Sequence, residues 1–326
     1  MSNTENQGRK VVVIGGGTGM PVLLRGLKEY PLDITAIVTV ADDGGSSGRL
    51  RDELFIPPPG DVRNVLIALA EVEPLFESLF QHRFSQGNGL SGHALGNLLL
   101  AAMTNITGDF VHGIQEMSRV LNVRGKVLPA ANQSIVLNAE LEDGTIVSGE
   151  SNIPASGKKI KRVFITPEDV EPLYETLQEI READMILIGP GSLYTSILPN
   201  LLVPKIGEEL TASKARKVYV CNVMTQAGET TDYTASDHVK ALYDHLHQPF
   251  IDTVIVNDTL VPEEIQALYA EEEAKPVLSD KSGLQTLGCE IISDGIIEYD
   301  RNVIRHDAKK IAKLIYEMIT KGRPEG

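Results

Sequence analysis

Cysteine is scarce. Cys221 and Cys289 are the only two in 326 residues, and neither has metal-ligand spacing or a disulfide framework around it. With nothing basic beside them, both read as buried, unreactive thiols. Long apolar runs are missing as well. Stretches such as residues 98–103 fall far short of a membrane span, and the polar opening, residues 1–10, lacks the basic-then-apolar order of a signal peptide. The expected compartment is therefore the cytoplasm. Basic side chains are in deficit, 30 against 45 acidic for a formal charge of −15, and no basic cluster offsets this, which argues against a nucleic-acid partner. His82, His112, His238, His245, His247 and His306 form no ligand-spaced set, so no zinc site is assigned. No repeat and no low-complexity linker divides the chain.

What is present is an alternation of β-branched runs and amphipathic stretches. Residues 10–14, 21–30 and 34–40 read as β-α-β. The middle is helical by periodicity over 61–71, 75–84, 94–107 and 110–121, with Pro57, Pro58 and Pro59 as a stiff lead-in. Residues 134–141 and 145–150 alternate around Glu142-Asp143-Gly144 and read as a hairpin. Strands at 162–166, 185–189, 217–223, 253–257 and 290–293 then interleave with helices near 168–183, 236–246, 262–273 and 307–321. The pattern predicts an α/β fold with a mostly parallel, doubly wound sheet. One domain is expected over 10–326, with a helical insertion near 57–122 and a disordered tail at 1–9.

Three strand ends carry polar, glycine-rich segments. Gly15-Gly16-Gly17-Thr18-Gly19 lies between the first strand and its helix, where glycines admit a ligand and helix-start N–H groups attract phosphate. Gly15 and Gly17 fit a dinucleotide fingerprint, but Met20 occupies its third glycine position. An NAD site, with Asp42 or Asp43 as the ribose acid, therefore ranks behind other nucleotides. Gly189 and Gly191 flank Pro190 at a second strand end, where Ser192 could cap the next helix. Asn222, Thr225 and Gln226 follow a third strand and offer neutral hydrogen-bonding groups suited to bases and sugars. In a parallel sheet these ends share one edge and should converge on one cleft.

Two further segments carry candidate chemistry. The stretch VTVADDGGSSGRL, residues 38–50, has more carboxylate, glycine and hydroxyl than a turn requires, so a ligand is expected to dock on it. Within PGDVRN, residues 59–64, Asp61 sits at a helix start, either as a cap or as a site residue beside Asn64. In GHALGN, residues 92–97, His93 is a candidate proton donor or phosphate contact unless it is structural, and Asn97 shares its helix face.

Together GGGTG at 15–19, ADDGGSSGRLR at 41–51, PGDVRN at 59–64, GHALGN at 92–97, GPGSLYTSI at 189–197 and NVMTQAGET at 222–230 resemble one family. It is the family related to 2-phospho-L-lactate transferase, and within it the YvcK-like gluconeogenesis-factor branch. The resemblance implies a Rossmann-like sheet with a nucleotide in its cleft. For the transferase branch it implies magnesium-dependent transfer of 2-phospho-L-lactate from a guanosine diphosphate carrier to a deazaflavin alcohol. For the gluconeogenesis-factor branch it implies binding of a UDP-sugar such as UDP-N-acetylglucosamine and a regulatory role in cell shape, cell-wall synthesis and growth on gluconeogenic carbon. By position it would put Gly15 to Gly19 near the ligand, Asp42 and Asp43 near magnesium or the reacting group, and Asn222 near the nucleotide. It also draws attention to the late chain, where Tyr269 would pack on the base or sugar and Arg305 would contact the diphosphate. If one aspartate holds magnesium, Ser46 and Ser47 would contact sugar or phosphate, and Arg49 would supply a fixed positive charge. A homodimer and a regulatory protein partner stay open.

Overall fold

The computed structural model describes residues 8–300 and 303–321. Most of the expected tail thus lies outside the described residues, and its last member, Arg9, already belongs to a strand. Among the described residues twelve strands follow in chain order: β1 (Arg9–Gly15), β2 (Leu32–Val38), β3 (Lys126–Pro129), β4 (Val136–Leu141), β5 (Ile146–Ser148), β6 (Ile160–Thr166), β7 (Met185–Ile188), β8 (Arg216–Val220), β9 (Thr253–Asn257), β10 (Glu290–Asp294), β11 (Ile297–Asp300) and β12 (Val303–His306). Seven of them make the central sheet in the order β10-β9-β8-β7-β1-β2-β3, and every pairing in it is parallel. The inner strands are continuous apolar runs because helices cover both faces: all four residues of β7 and the last five of β1 are buried.

From β1 the chain runs outward to β2 and β3, and β7 then starts a second outward series on the other side of β1. The order reverses between β1 and β7, and that crevice is where open α/β sheets bind ligands. Helix α1 (Gly19–Leu27) leaves β1 at this point. Between β2 and β3 lies the helical insertion: α2 (Gly45–Leu54), α3 (Gly60–Leu69), α4 (Pro74–Gln81), α5 (Leu95–Thr107) and α6 (Phe110–Val120).

Several elements depart from the sequence pattern. The insertion starts at Gly45, because the glycine-serine stretch expected as a loop is helical. Burial of Leu50 against Ile56 and Ala101 overrides its poor helix propensity. The run at 160–166 is β6 of a separate antiparallel sheet, β5-β4-β6, rather than part of the parallel one. Its half-exposed burial pattern suits a sheet covered on one side. Strand β3 has only four residues, ends in proline and lies at a sheet edge, where proline is tolerated. The hairpin β11–β12 was not foreseen either.

One buried cluster runs from the central sheet into the small antiparallel one. Both cysteines are buried and free, and burial pushes the Cys221 thiol up to about 12. Among the described residues no helix is long and apolar enough to cross a membrane.

Candidate functional site

The three glycine-rich strand ends meet. Thr18 and Gly19 from the β1 end, Gly191 and Ser192 from the β7 end, and Asn222, Thr225 and Gln226 from the β8 end line a cleft of about 580 Å³. Its far wall is Tyr269 with Val303, Ile304, Arg305 and His306 of β12. The β12 hairpin is held there by two bonds: the Ile304 amide donates to the Tyr269 hydroxyl at 2.9 Å, and His306 Nε2 lies 3.0 Å from the Cys221 carbonyl. Tyr269 and Arg305 thus line the same cleft as Thr18, Gly19 and Gly191.

The glycines of the two switch-point loops pack on each other. A β-carbon on Gly19 would lie 2.8 Å from the Pro190 carbonyl oxygen, and one on Gly191 would lie 3.2 Å from the Gly16 carbonyl oxygen. Gly17 has φ +64°, a conformation that favours glycine. Its amide is not open to a ligand, because it donates to Asp61 Oδ2 at 2.8 Å. Ser192 makes no helix cap; the π-helical turn Leu193–Ile197 follows it, and its hydroxyl accepts instead from Gln226 Nε2 at 2.8 Å. Asn222 Oδ1 accepts from the Gly191 amide at 3.4 Å, which ties the β8 end to the β7 end. Thr225 is buried and its hydroxyl accepts from the Lys275 amide, so it braces the loop.

A second group assembles under the helical insertion. Ser46 Oγ accepts from the Ala94 amide at 3.3 Å and from Asn97 Nδ2 at 3.1 Å, and lies 3.0 Å from His93 Nδ1. With both lone pairs occupied, the Ser46 hydroxyl donates to His93 Nδ1. Burial and then the Arg49 charge lower the His93 pKa, in keeping with a neutral ring that accepts at Nδ1. His93 is thus tied to Ser46 rather than poised to donate from that nitrogen. Asn97 Nδ2 also reaches Ser47 Oγ at 3.5 Å. Gly60, opening α3, fits only because it has no side chain: a β-carbon there would lie 2.2 Å from Ser47 Oγ and 2.6 Å from Asp42 Oδ2. Asn64 Oδ1 accepts from the Arg63 guanidinium at 2.7 Å.

The adjacent aspartates diverge. Asp42 turns back to accept from the Gly44 amide at 2.9 Å, while Asp43 Oδ1 accepts from the Ser151 amide and hydroxyl at 3.0 and 2.6 Å. Asp61 does not cap α3; it bridges to the glycine loop through Gly17. Burial, partly offset by that amide, raises its carboxyl to about 6. Glu150, at the end of the hairpin, is raised to about 9 by burial and then by the charges of Asp61, Asp42, Asp43 and Glu229. Glu229 is buried beside the cleft and accepts from the Tyr194 amide and the Thr195 hydroxyl. Among the described residues, no three histidine, cysteine, aspartate or glutamate side chains gather to hold a metal ion.

Most of the predicted residues thus fall into two neighbouring groups joined by the Asp61–Gly17 bond, while Gly15, Gly16 and Gly189 do not line the cleft and Asp43 is bonded to Ser151. One is the cleft with Thr18, Gly19, Gly191, Ser192, Asn222, Thr225, Gln226, Tyr269 and Arg305; the other is the cluster with Asp42, Ser46, Ser47, His93 and Asn97, and Asn64 stands apart, bonded to Arg63. Glu150, Glu229 and Arg63 were not foreseen. Arg63 stood inside PGDVRN, and its burial on α3 could have been inferred from the apolar residues around it.

The family model described as 2-phospho-L-lactate transferase CofD matches residues 11–297. The chain is similar to the gluconeogenesis factor of Bacillus subtilis (strain 168), 66% identical over 310 residues, which are 95% of this chain and 98% of the relative. It is 64% identical over 309 residues to the gluconeogenesis factor of Halalkalibacterium halodurans, covering 95% and 96% of the two chains. An X-ray structure of a Bacillus halodurans protein, 64% identical, superposes with a TM-score of 0.94 over 95% of this chain and all of that one. The chain belongs to the 2-phospho-L-lactate transferase CofD family and, within it, to the gluconeogenesis-factor group.

Proposed function

We propose that the switch-point cleft binds a nucleotide sugar, of the UDP-N-acetylglucosamine class, and that the protein is a cytoplasmic regulator linking that ligand to cell shape and carbon balance through a protein partner. The observation that carries the reading is the meeting of three strand-end loops and the β12 hairpin around one cleft of about 580 Å³. Its chemistry suits such a ligand. Asn222 and Gln226 present neutral donors and acceptors to a base or sugar, Tyr269 offers an aromatic face, and Arg305 supplies a permanent cation for the diphosphate. Helix α1 opens at the cleft with Thr18 and Gly19 and has no side-chain cap there, which suits an anion at its start.

A second reading keeps the cleft and adds magnesium-dependent phosphotransfer. The Asp61–Gly17 bond favours it by placing carboxylates next to the glycine loop. Asp43 is committed to Ser151, which leaves Asp42 to carry the ion. One carboxylate without a preformed cage fits a magnesium ion that arrives with a diphosphate. Bound there, the ion would neutralise charge on the transferring group. A nicotinamide cofactor has less support, because Met20 stands at the third glycine position of its fingerprint. Parallel thermal-shift titrations with UDP-N-acetylglucosamine, UDP-glucose, GDP and NAD test the choice. A ligand at ~100 times its dissociation constant stabilises by about 2.7 kcal/mol, and the largest shift is expected from a UDP-sugar. A larger shift from GDP, with the UDP-sugars silent, would refute the regulator reading.

A further inference from the structure

The cleft has a hydrogen-bonding polarity, built from its two walls. On the glycine-loop wall the Gly191 amide can only donate, and it donates to Asn222 Oδ1 at 3.4 Å. That fixes the Asn222 side chain with its oxygen toward Gly191, so its Nδ2 donates to Gln226 Oε1, 3.5 Å away. Gln226 is oriented in turn, and its Nε2 donates to Ser192 Oγ at 2.8 Å. All the bonds of this chain run one way. Both amide oxygens already accept a proton, and Ser192, at the end, keeps its own O–H to donate. The wall formed by Gly191, Ser192, Asn222 and Gln226 therefore meets a ligand mainly with donors.

The far wall carries the complement. His306 Nε2 lies 3.0 Å from the Cys221 carbonyl, which can only accept, so Nε2 holds the ring proton. Burial lowers the His306 pKa, in keeping with a neutral ring, and Nδ1 is then a bare acceptor. Nδ1 has no partner among the described residues and is not sealed from solvent, and His306 lines the cleft next to Arg305. Hydroxyls aside, the exposed Glu272 carboxylate is the other side-chain acceptor of the cleft that no donor among the described residues has taken. Glu272 stands in water, where a hydrogen bond contributes little, and its charge opposes a diphosphate. The half-buried, neutral imidazole has neither handicap.

We propose that His306 Nδ1 accepts a hydrogen bond from the nucleotide sugar and is a specificity-determining contact of the cleft, an assignment that rests on the nucleotide-sugar reading of that cleft. Two parts of such a ligand both distinguish it from its relatives and carry donors: the imide N–H of a uracil base, and the hydroxyl and amide groups of the hexose. Calorimetric titrations with UDP-N-acetylglucosamine, UDP and 3-methyl-UDP, run on the parent, His306→Gln and Glu272→Gln, separate the two sources. Glutamine can still donate from Nε2 to the Cys221 carbonyl while the ring acceptor is lost, and melting temperatures check that anchor. His306→Gln is expected to lose about tenfold in affinity for UDP-N-acetylglucosamine at an unchanged melting temperature, with Glu272→Gln close to the parent. A base contact extends the loss to UDP but not to 3-methyl-UDP, which lacks the imide proton; a hexose contact leaves both of these ligands unaffected. Equal loss with all three ligands, or loss together with a lowered melting temperature, would make His306 an anchor of the hairpin and overturn the proposal. Parent-like binding by His306→Gln, or a loss confined to Glu272→Gln, would overturn it as well. A parent that binds none of the three ligands would refute the nucleotide-sugar reading itself, and the proposal with it.

Discussion

Replacing Glu150 by glutamine should stabilise the protein increasingly as the pH rises. Glu150 shares its surroundings with Asp61, Asp42, Asp43 and Glu229, and burial with those charges raises its carboxyl from the ordinary 4.5 to about 9. The folded protein therefore keeps a proton that the unfolded chain releases. The site's contribution is complete below about pH 4.5 and drains away as the pH climbs toward 9. At ~1.4 kcal/mol per pH unit, the roughly three units between pH 5 and 8 set a ceiling of about 4 kcal/mol. Glu150 is only partly buried, so water screens the effect, and about 2 kcal/mol is the working figure. Asp61, raised from 3.8 to about 6, loses its share of stability earlier, as the pH rises through 6. Urea denaturation at pH 5, 6.5 and 8 would follow both chains. Glu150→Gln should gain about 2 kcal/mol on the parent between the two extremes, with the slope of the transition unchanged. A stability difference that stays flat across pH would mean that Glu150 is hydrated and ionised, and the picture of a crowded carboxylate pocket would be wrong.

Other substitutions probe the loops and the hairpin. Gly19→Ala should gain up to about 1 kcal/mol of helix propensity but lose about 1–3 kcal/mol from the contact with the Pro190 carbonyl, giving a net loss in urea midpoint; a more stable variant would show that the two loops do not press together. Tyr269→Phe strands the Ile304 amide and should cost about 1–3 kcal/mol in thermal stability, with weaker nucleotide binding as β12 loosens; unchanged melting would dismiss that anchor. Asp42→Asn should keep most UDP-sugar affinity while removing any magnesium-dependent transferase activity. Equal activity in the variant would take Asp42 out of the chemistry.

Much of the frame could be read from residue order. The apolar runs of β1, β2, β7, β8 and β9 are short, β-branched and bounded by glycine or polar residues, so their type and parallel pairing followed from pattern alone. The convergence of the loops after β1, β7 and β8 followed from that pairing. Elements whose identity depends on distant partners were harder to read. The glycine-serine start of α2 is helical because Ser46 and Leu50 find partners in and beside α5, more than 40 residues away. Strand β6 carries the same apolar residues as a core strand, and only its pairing with β4 moves it out of the main sheet. At the site, the glycines advertised a ligand, yet several are small because backbone meets backbone, as at Gly19 and Gly191. Glu150 had no local mark at all, since its perturbation comes from carboxylates on other segments.

The central claim is that the cleft walled by the glycine loops and the β12 hairpin holds the nucleotide sugar. Calorimetric titration of UDP-N-acetylglucosamine into the parent and into Arg305→Ala tests it most directly. Loss of a cation on the diphosphate should weaken binding by about 1.5–3 kcal/mol, roughly ten- to a hundredfold, with one site per chain in the parent. Equal affinity in the two proteins, or no heat in the parent, would contradict it.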